Sequence, residues 1–207
     1  MSVPPTPPKT AEVSPLDRQN VVALETAPES PARRFLIETI ETIVLALAMF
    51  LIINFVSARI RVDGSSMEPN FHDGDFVIVN RLAYRLGEIQ RGDVIVFPYP
   101  LDPEVDYIKR VIGLPGDRVE VRGGQVFLNG AALTEPYLLE LSLGDLAERV
   151  VPPGFVFVMG DNRNGSSDSR SWGPLSVDEI VGKAIFRYWP YSMAGVVEHF
   201  DLIAASP

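Results

Sequence analysis

The chain has 207 residues, enough for one domain with a substantial core and a terminal segment or two. It has no cysteine, which excludes disulfides, thiolate nucleophiles and thiolate metal ligands, and its two histidines, His72 and His199, lie far apart without ligand spacing, so neither metal nor cofactor is expected. The formal net charge is -9, yet residues 1–34 are balanced at four basic and four acidic, so the acidic excess falls on the remainder and a nucleic-acid partner is not expected.

In chain order, residues 1–31 hold seven of the eighteen prolines, in runs such as VPPTPPKT, with no apolar periodicity. Such a stretch buries too little to offset its chain entropy, so a disordered leader over 1–34 is expected. From Phe35 to Val56 the chain is apolar apart from Glu38, Thr39, Glu41, Thr42 and Asn54. About 22 helical residues at roughly 1.5 Å each span the roughly 30 Å of bilayer hydrocarbon, which predicts a transmembrane anchor over 35–56. The two glutamates fall in its first two turns, at headgroup depth. A buried core helix is the first rival, but nothing else here is helical enough to surround one. A cleavable signal peptide is the second, with Arg33 and Arg34 ahead of the apolar run and Val56-Ser57-Ala58 as a small-residue cleavage site, although the run is long for one. Whether Ala58 is a self-cleavage site stays open. Charge does not orient the span, because Arg59 and Arg61 on the far flank match Arg33 and Arg34.

Beyond the anchor, short apolar stretches alternate with Gly, Pro, Asn and Asp. Strands are predicted over 76–80, 93–99, 107–113, 118–130, 155–160 and 182–189. Gly123-Gly124 and Asn129-Gly130 read as tight hairpin turns. A mainly β domain of mixed short strands over 57–190 is expected, with a small β extension over 114–153, a short helix near LSLGDLAER (141–149) and a tail over 191–207. There is no internal repeat, P-loop or dinucleotide fingerprint.

Two stretches invite chemistry. In YIKRVIG, strand alternation puts Tyr107, Lys109 and Val111 on one face and Ile108, Arg110 and Ile112 on the other. Apolar surroundings would strip solvation from the Lys109 ammonium and lower its pKa toward that of a usable base. A lysine that snorkels to the surface is the ordinary alternative. In VDGSSMEPN (62–70), a serine nucleophile would need a base, usually histidine. His72 sits in the loop-like FHDGD and His199 in the tail, and GSSME lacks the second glycine of a G-x-S-x-G elbow, so a Ser-His-Asp triad is disfavoured. A serine enzyme built from this chain would use lysine, with Lys109 as the candidate.

DGSSMEP, YIKRVIGLPGD and GDNRNGSSDSRSWGPL, in this order behind one apolar segment, closely resemble the motif boxes of type I signal peptidases (leader peptidases), the membrane-bound Ser-Lys serine peptidases of bacteria. The likeness covers roughly residues 40–190; the third box is long and specific, the second strong, and SMxP alone weak. The resemblance implies a signal-peptidase/LexA-like catalytic β domain behind one N-terminal transmembrane helix. It implies Ser66 as nucleophile, Lys109 as general base and Ser166 as the serine that orients the lysine. Asp161 with Arg110, and Asp168 with Arg170, would be structural pairs that hold the site's shape. Met67 and neighbouring strand residues would meet substrate, and Ser65 would be a spacer.

Two positions depart from the family pattern. Asn70 stands where Met-x-Pro-Thr is common, and Gly64 where one branch carries a serine whose hydroxyl serves the oxyanion. The oxyanion hole would then rest on backbone amides, that of Ser66 first. The resemblance further implies exported preproteins as substrates, cut after small residues in an Ala-x-Ala pattern. It implies the lipid bilayer and the secretion translocon as partners, and a bacterial plasma-membrane location with a cytoplasmic N-terminus and an extracytoplasmic catalytic domain. A soluble self-cleaving repressor with the same dyad, and a non-catalytic tethered β module in which Ser66 and Lys109 are incidental, are the competing readings.

Overall fold

The computed structural model describes residues 30–200 and Leu202, so the expected disordered leader lies outside the described residues except at 30–34. Of these, 31–34 instead open helix α1 (Pro31–Val56), which begins at Pro31 rather than Phe35. Pro31 suits a first helical position, where no N–H is needed, and the Ser30 hydroxyl accepts from the Arg33 N–H at 3.4 Å. None of the 26 residues is buried, and the most apolar 18-residue window has a mean hydropathy of 2.3. The helix is thus long and apolar enough to cross a membrane. Three of its polar side chains are satisfied by its own backbone: Thr39, Thr42 and Asn54 donate to the carbonyls of Phe35, Glu38 and Phe50 at 2.8, 2.8 and 2.9 Å.

The rest is mainly β. In chain order the elements are β1 (Ser57–Arg61), β2 (Phe76–Asn80), α2 (Ala83–Leu86), β3 (Val94–Tyr99), β4 (Asp102–Gly113), β5 (Arg118–Arg122), β6 (Gln125–Leu128), β7 (Ala131–Ala132), β8 (Leu146–Val150), β9 (Phe155–Met159), α3 (Ser169–Trp172), β10 (Leu175–Ser176), β11 (Gly182–Trp189) and β12 (Gly195–Val196). The large sheet runs β1-β2-β11-β3-β4-β9-β10 with β12 beside β11, and a four-stranded sheet runs β7-β6-β5-β8. Strands β2 and β11 have the bounds that alternation predicts. Strand β4 begins five residues earlier than predicted, at Asp102, because its pairing with β3 continues to the turn, where Tyr99 faces Asp102. Gly123 (φ 56°) and Gly124 (φ 82°) join β5 to β6, and Asn129 (φ 55°) and Gly130 (φ 88°) join β6 to β7, conformations that the dipeptides supply cheaply.

One expected element is absent: LSLGDLAER forms no helix. Its second half becomes β8, paired along β5 from Arg118–Val150 to Val121–Leu146, and its first half is an extended loop whose Ser142 N–H donates to the Gly124 carbonyl at 3.0 Å. The open edge of β5 offers a ladder of backbone partners, which a nine-residue stretch broken by Gly144 cannot match from within. Strand β1 carries no periodicity that predicts it. It places Ala58 opposite Val79, in a paired ladder rather than in an open segment. The segment after 190, left without elements by its sequence, returns along β11 as β12 and buries Val197 and Leu202.

Strand β3 reads VIVF without alternation and is buried on both faces. Val94 and Val96 join a cluster with Met67, Phe71, Val77, Val79 and Ile108, while Ile95 and Phe97 join another with Val111, Val156, Val158 and Leu175. A third cluster takes Ile112 and the small sheet's Val119, Val121, Val126 and Leu128. Strand β4 thus feeds all three, and Lys109 and Arg110 lie where it passes between them, 2% and 1% exposed.

Candidate active site

Strand β4 is held on both edges, with Lys109 opposite Ile95 of β3, and Arg110 opposite both Val94 of β3 and Met159 of β9. Both side chains are therefore aimed by backbone ladders. Lys109 Nζ lies 2.7 Å from Ser66 Oγ and 2.9 Å from the Ile108 carbonyl. Its amine is pushed down to about 8, chiefly by burial, against the opposing pull of the Asp168 and Asp161 carboxylates. The Tyr107 ring lies 4.6 Å from Nζ on the same strand face. A buried amine of lowered pKa in contact with a hydroxyl is the arrangement a general base and its nucleophile require.

Ser66 projects from the turn after β1. That turn is anchored by Met67 and Phe71, 0% and 3% exposed, and by a Phe71 N–H to Met67 carbonyl bond of 2.9 Å. Met67, expected at the substrate, is therefore a core side chain and does not line the cleft beside Ser66. Gly64 opens the turn at φ +86°, and its N–H is committed to Asp73 Oδ1 at 2.9 Å. The Ser66 N–H has no partner among the described residues. Ser66 and Lys109 line a cleft of about 270 Å³ whose walls include Ile60, Val62, Val105 and Tyr107.

The third-box residues gather behind this pair. Asp161 takes a bidentate grip from Arg110 (2.9 and 2.7 Å) and a third bond from Asn70 Nδ2 at 2.8 Å. The departure at Asn70 thus keeps a hydrogen-bonding side chain in the turn. Asp168 accepts from Arg170 Nε and Nη2 at 2.8 and 2.7 Å, and from the Gly160 N–H at 3.0 Å. Ser166 Oγ is buried and has no hydrogen-bond partner among the described residues, so its expected bond to Lys109 is not formed here.

Several neighbours escape a reading of the sequence. A Cβ built on Gly160 would come within 2.3 Å of Ser166 Oγ and 2.4 Å of the Ser66 carbonyl, so only glycine fits between them. Arg163 forms an ion pair with Glu135, and Tyr137 donates to the same carboxylate at 2.6 Å. Glu135 and Tyr137 lie far from the three boxes in sequence, and only the fold brings them in. Neither histidine hydrogen-bonds Ser66 or Lys109. The His72 N–H donates to Asp75 Oδ2 at 3.0 Å, and the His199 Nδ1 lone pair faces the Val94 N–H at 3.4 Å. Burial and Lys183 push His199 down, which keeps it neutral in that role. Among the described residues, no group of three or more His, Cys, Asp or Glu side chains is arranged to hold a metal ion.

Comparison with known proteins identifies the family of the chain. The family model described as "Signal peptidase, peptidase S26" matches residues 36–189. A signal peptidase I of Bacillus caldolyticus is 40% identical over 163 residues, covering 72% of this chain and 86% of its own length. A probable signal peptidase I-1 of Synechocystis sp. is 38% identical over 190 residues, covering 88% and 97%. A crystal structure of a signal peptidase I from Enterococcus faecalis V583 shares 36% identity at a TM-score of 0.43 over 46% of this chain and 96% of its own. With a family match across most of its length and curated relatives close to 40% identical, this chain belongs to the S26 signal peptidases, a family of serine endopeptidases.

Proposed function

We propose that this protein removes N-terminal signal peptides from exported precursors through a Ser66–Lys109 dyad, while anchored in the bacterial plasma membrane by α1. The observation that carries the proposal is the 2.7 Å contact between the Ser66 hydroxyl and a lysine only 2% exposed. Neutral Lys109 takes the Ser66 proton as Oγ attacks the scissile carbonyl. The Ser66 N–H donates to the oxyanion, and the Lys109 ammonium returns its proton to the departing amine. Water then attacks the acyl-enzyme, giving its proton to Lys109, which passes it to Ser66 Oγ as the acid product leaves. Ser166 is proposed to orient the amine once substrate fills the cleft, because apo geometry often tightens only in the complex.

The cleft walls supplied by Ile60, Val62 and Val105 favour small apolar side chains before the cut, in the Ala-x-Ala pattern, since a shallow apolar pocket rejects larger ones sterically. Residues 57–190 form the catalytic part, with 114–153 as an extension on it, and face outside the cytoplasm, where exported precursors emerge. The leader faces inward, and the translocon is a partner in handing over substrate. The test uses purified protein and an Ala-x-Ala precursor in detergent. Ser66→Ala and Lys109→Ala are each expected to lose cleavage by about 10⁴-fold or more with unchanged circular dichroism. Normal processing by either variant would refute the dyad.

A further inference from the structure

Between β9 and α3, Asn162 is a residue by which the third box grips the turn that carries Ser66, beside the Asp161 bond to Asn70. Its Nδ2 donates to the Ser65 carbonyl at 3.1 Å and its backbone N–H to the Ser66 carbonyl at 3.1 Å, while its Oδ1 accepts from the Gly165 N–H at 3.0 Å. A peptide unit is planar, with its carbonyl and N–H directed to opposite sides. The unit that begins with the Ser65 carbonyl ends in the Ser66 N–H. Holding that carbonyl on one side therefore aims the N–H to the other, away from Asn162. The N–H so aimed has no partner among the described residues and belongs to a residue lining the cleft with Lys109. The nearby Gly64 amide is already bound to Asp73, and Gly64 offers no hydroxyl.

We propose that the Asn162 side chain is a positioning residue for the oxyanion hole: it fixes and polarises the Ser65–Ser66 peptide so that the Ser66 N–H meets the developing oxyanion. The inference rests on Ser66 being the nucleophile. The Ser65 carbonyl also accepts from the Glu68 N–H within the turn at 3.2 Å, so Asn162 adds the hold that comes from outside the turn. Its donation draws charge across the amide and strengthens the Ser66 N–H as a donor, so the one bond supports both aim and strength. The backbone bond from Asn162 to the Ser66 carbonyl survives any substitution, so losing the side-chain donor alone, with the acceptor for Gly165 kept, acts on this one peptide.

The experiment compares Asn162→Ala and Asn162→Asp in the full chain on one precursor, at a pH where the rate is level. Asn162→Asp keeps the size and the acceptor for Gly165 but loses the donor to Ser65. Both variants are expected to lower kcat by about 10- to 100-fold, with KM and the acid limb of the Ala variant's pH profile unchanged. A peptide boronate, which forms a tetrahedral adduct as Lys109 takes the Ser66 proton, should weaken by the same factor. An uncleavable peptide should bind as before. Wild-type kcat in Asn162→Asp, a loss confined to KM, or a shifted acid limb with an unchanged level rate would each overturn the proposal. If Asn162→Ala melts below the assay temperature, the Asp variant decides alone. Normal cleavage by Ser66→Ala would instead overturn the underlying nucleophile assignment, whatever Asn162 does.

Discussion

Lys109 is the residue on which chemistry and stability pull in opposite directions. Burial lowers its pKa from 10.5 to about 8, so near neutral pH only a minority of molecules hold the free amine. The rate kcat/KM is expected to rise about tenfold per pH unit up to roughly pH 8 and then level off. A pH profile of precursor cleavage that is already flat between 6 and 8 would contradict this. For stability the sign is reversed from that of a paired lysine. The folded pKa lies below the unfolded one, so the folded state resists the proton: the penalty is fully present below about pH 8 and fades as pH rises toward 10.5. Lys109→Met is therefore expected to be inactive yet about 1 kcal/mol more stable at pH 7, since relief of about 3 kcal/mol of desolvation outweighs two lost hydrogen bonds of about 1 kcal/mol each. Urea melts at pH 7 and 10.5 check this, and the gain should be missing at the higher pH. Gly160 is the second decisive residue. With Ser166 Oγ 2.3 Å and the Ser66 carbonyl 2.4 Å from the position of a new methyl group, Gly160→Ala should cost about 100-fold or more in kcat without unfolding the chain. A variant within fivefold of wild type in single-turnover kinetics would show that the turn yields easily. The steric requirement on Gly160 is set in part by Ser66, 94 positions away, and so leaves no local signature in the sequence.

At the scale of elements, β4 is the strand that links the dyad to the rest of the sheet. Its Arg110 is 1% exposed and its partner Asp161 0% by side chain, with the Tyr137 ring 4.2 Å from the guanidinium and the Gly92 carbonyl bonded at 2.9 Å. Removing one charge strands the other in a dry site. Asp161→Ala is expected to destabilise the protein by about 3–5 kcal/mol, and Arg110→Met with Asp161→Leu together to recover much of that loss. Equilibrium denaturation of the three variants tests this, and a double variant no more stable than Asp161→Ala would count against an isolated-charge penalty. Alternation places Lys109 and Arg110 on opposite faces of the strand, and the structure keeps them so. What alternation leaves out is why both are buried: from Ile108 onward β4 runs between three apolar clusters, and both of its faces are covered there. The stretch 141–149 fails for the converse reason. Its apolar spacing suits a short helix, but the unpaired edge of β5 recruits it as β8.

For the whole molecule, α1 has no buried residue. A chain beginning at Phe50 is expected to fold, to melt within a few degrees of the full chain, and to cleave a soluble Ala-x-Ala peptide. It should no longer co-sediment with lipid vesicles. A large fall in melting temperature would mean that the helix supports the fold. The acidic balance of -9 leaves attraction to an anionic bilayer to apolar burial rather than charge, so vesicle binding by the full chain should persist at high salt.

Residue types and spacing alone determined the apolar span, the short strands with their glycine turns, and Lys109 as the base a serine enzyme would have to use in a chain that lacks cysteine and any well-placed histidine; Ser66 as its partner came from the resemblance of the motif boxes. These are local or compositional properties, written within a few residues of where they act. Tertiary structure alone decided that Lys109 is buried against Ser66, that Met67 is core rather than cleft, that Gly160 must lack a side chain, and that Asn162 holds the Ser65–Ser66 peptide. Each of these depends on segments distant in the chain meeting at one place, and desolvation, steric exclusion and peptide orientation exist only after they have met.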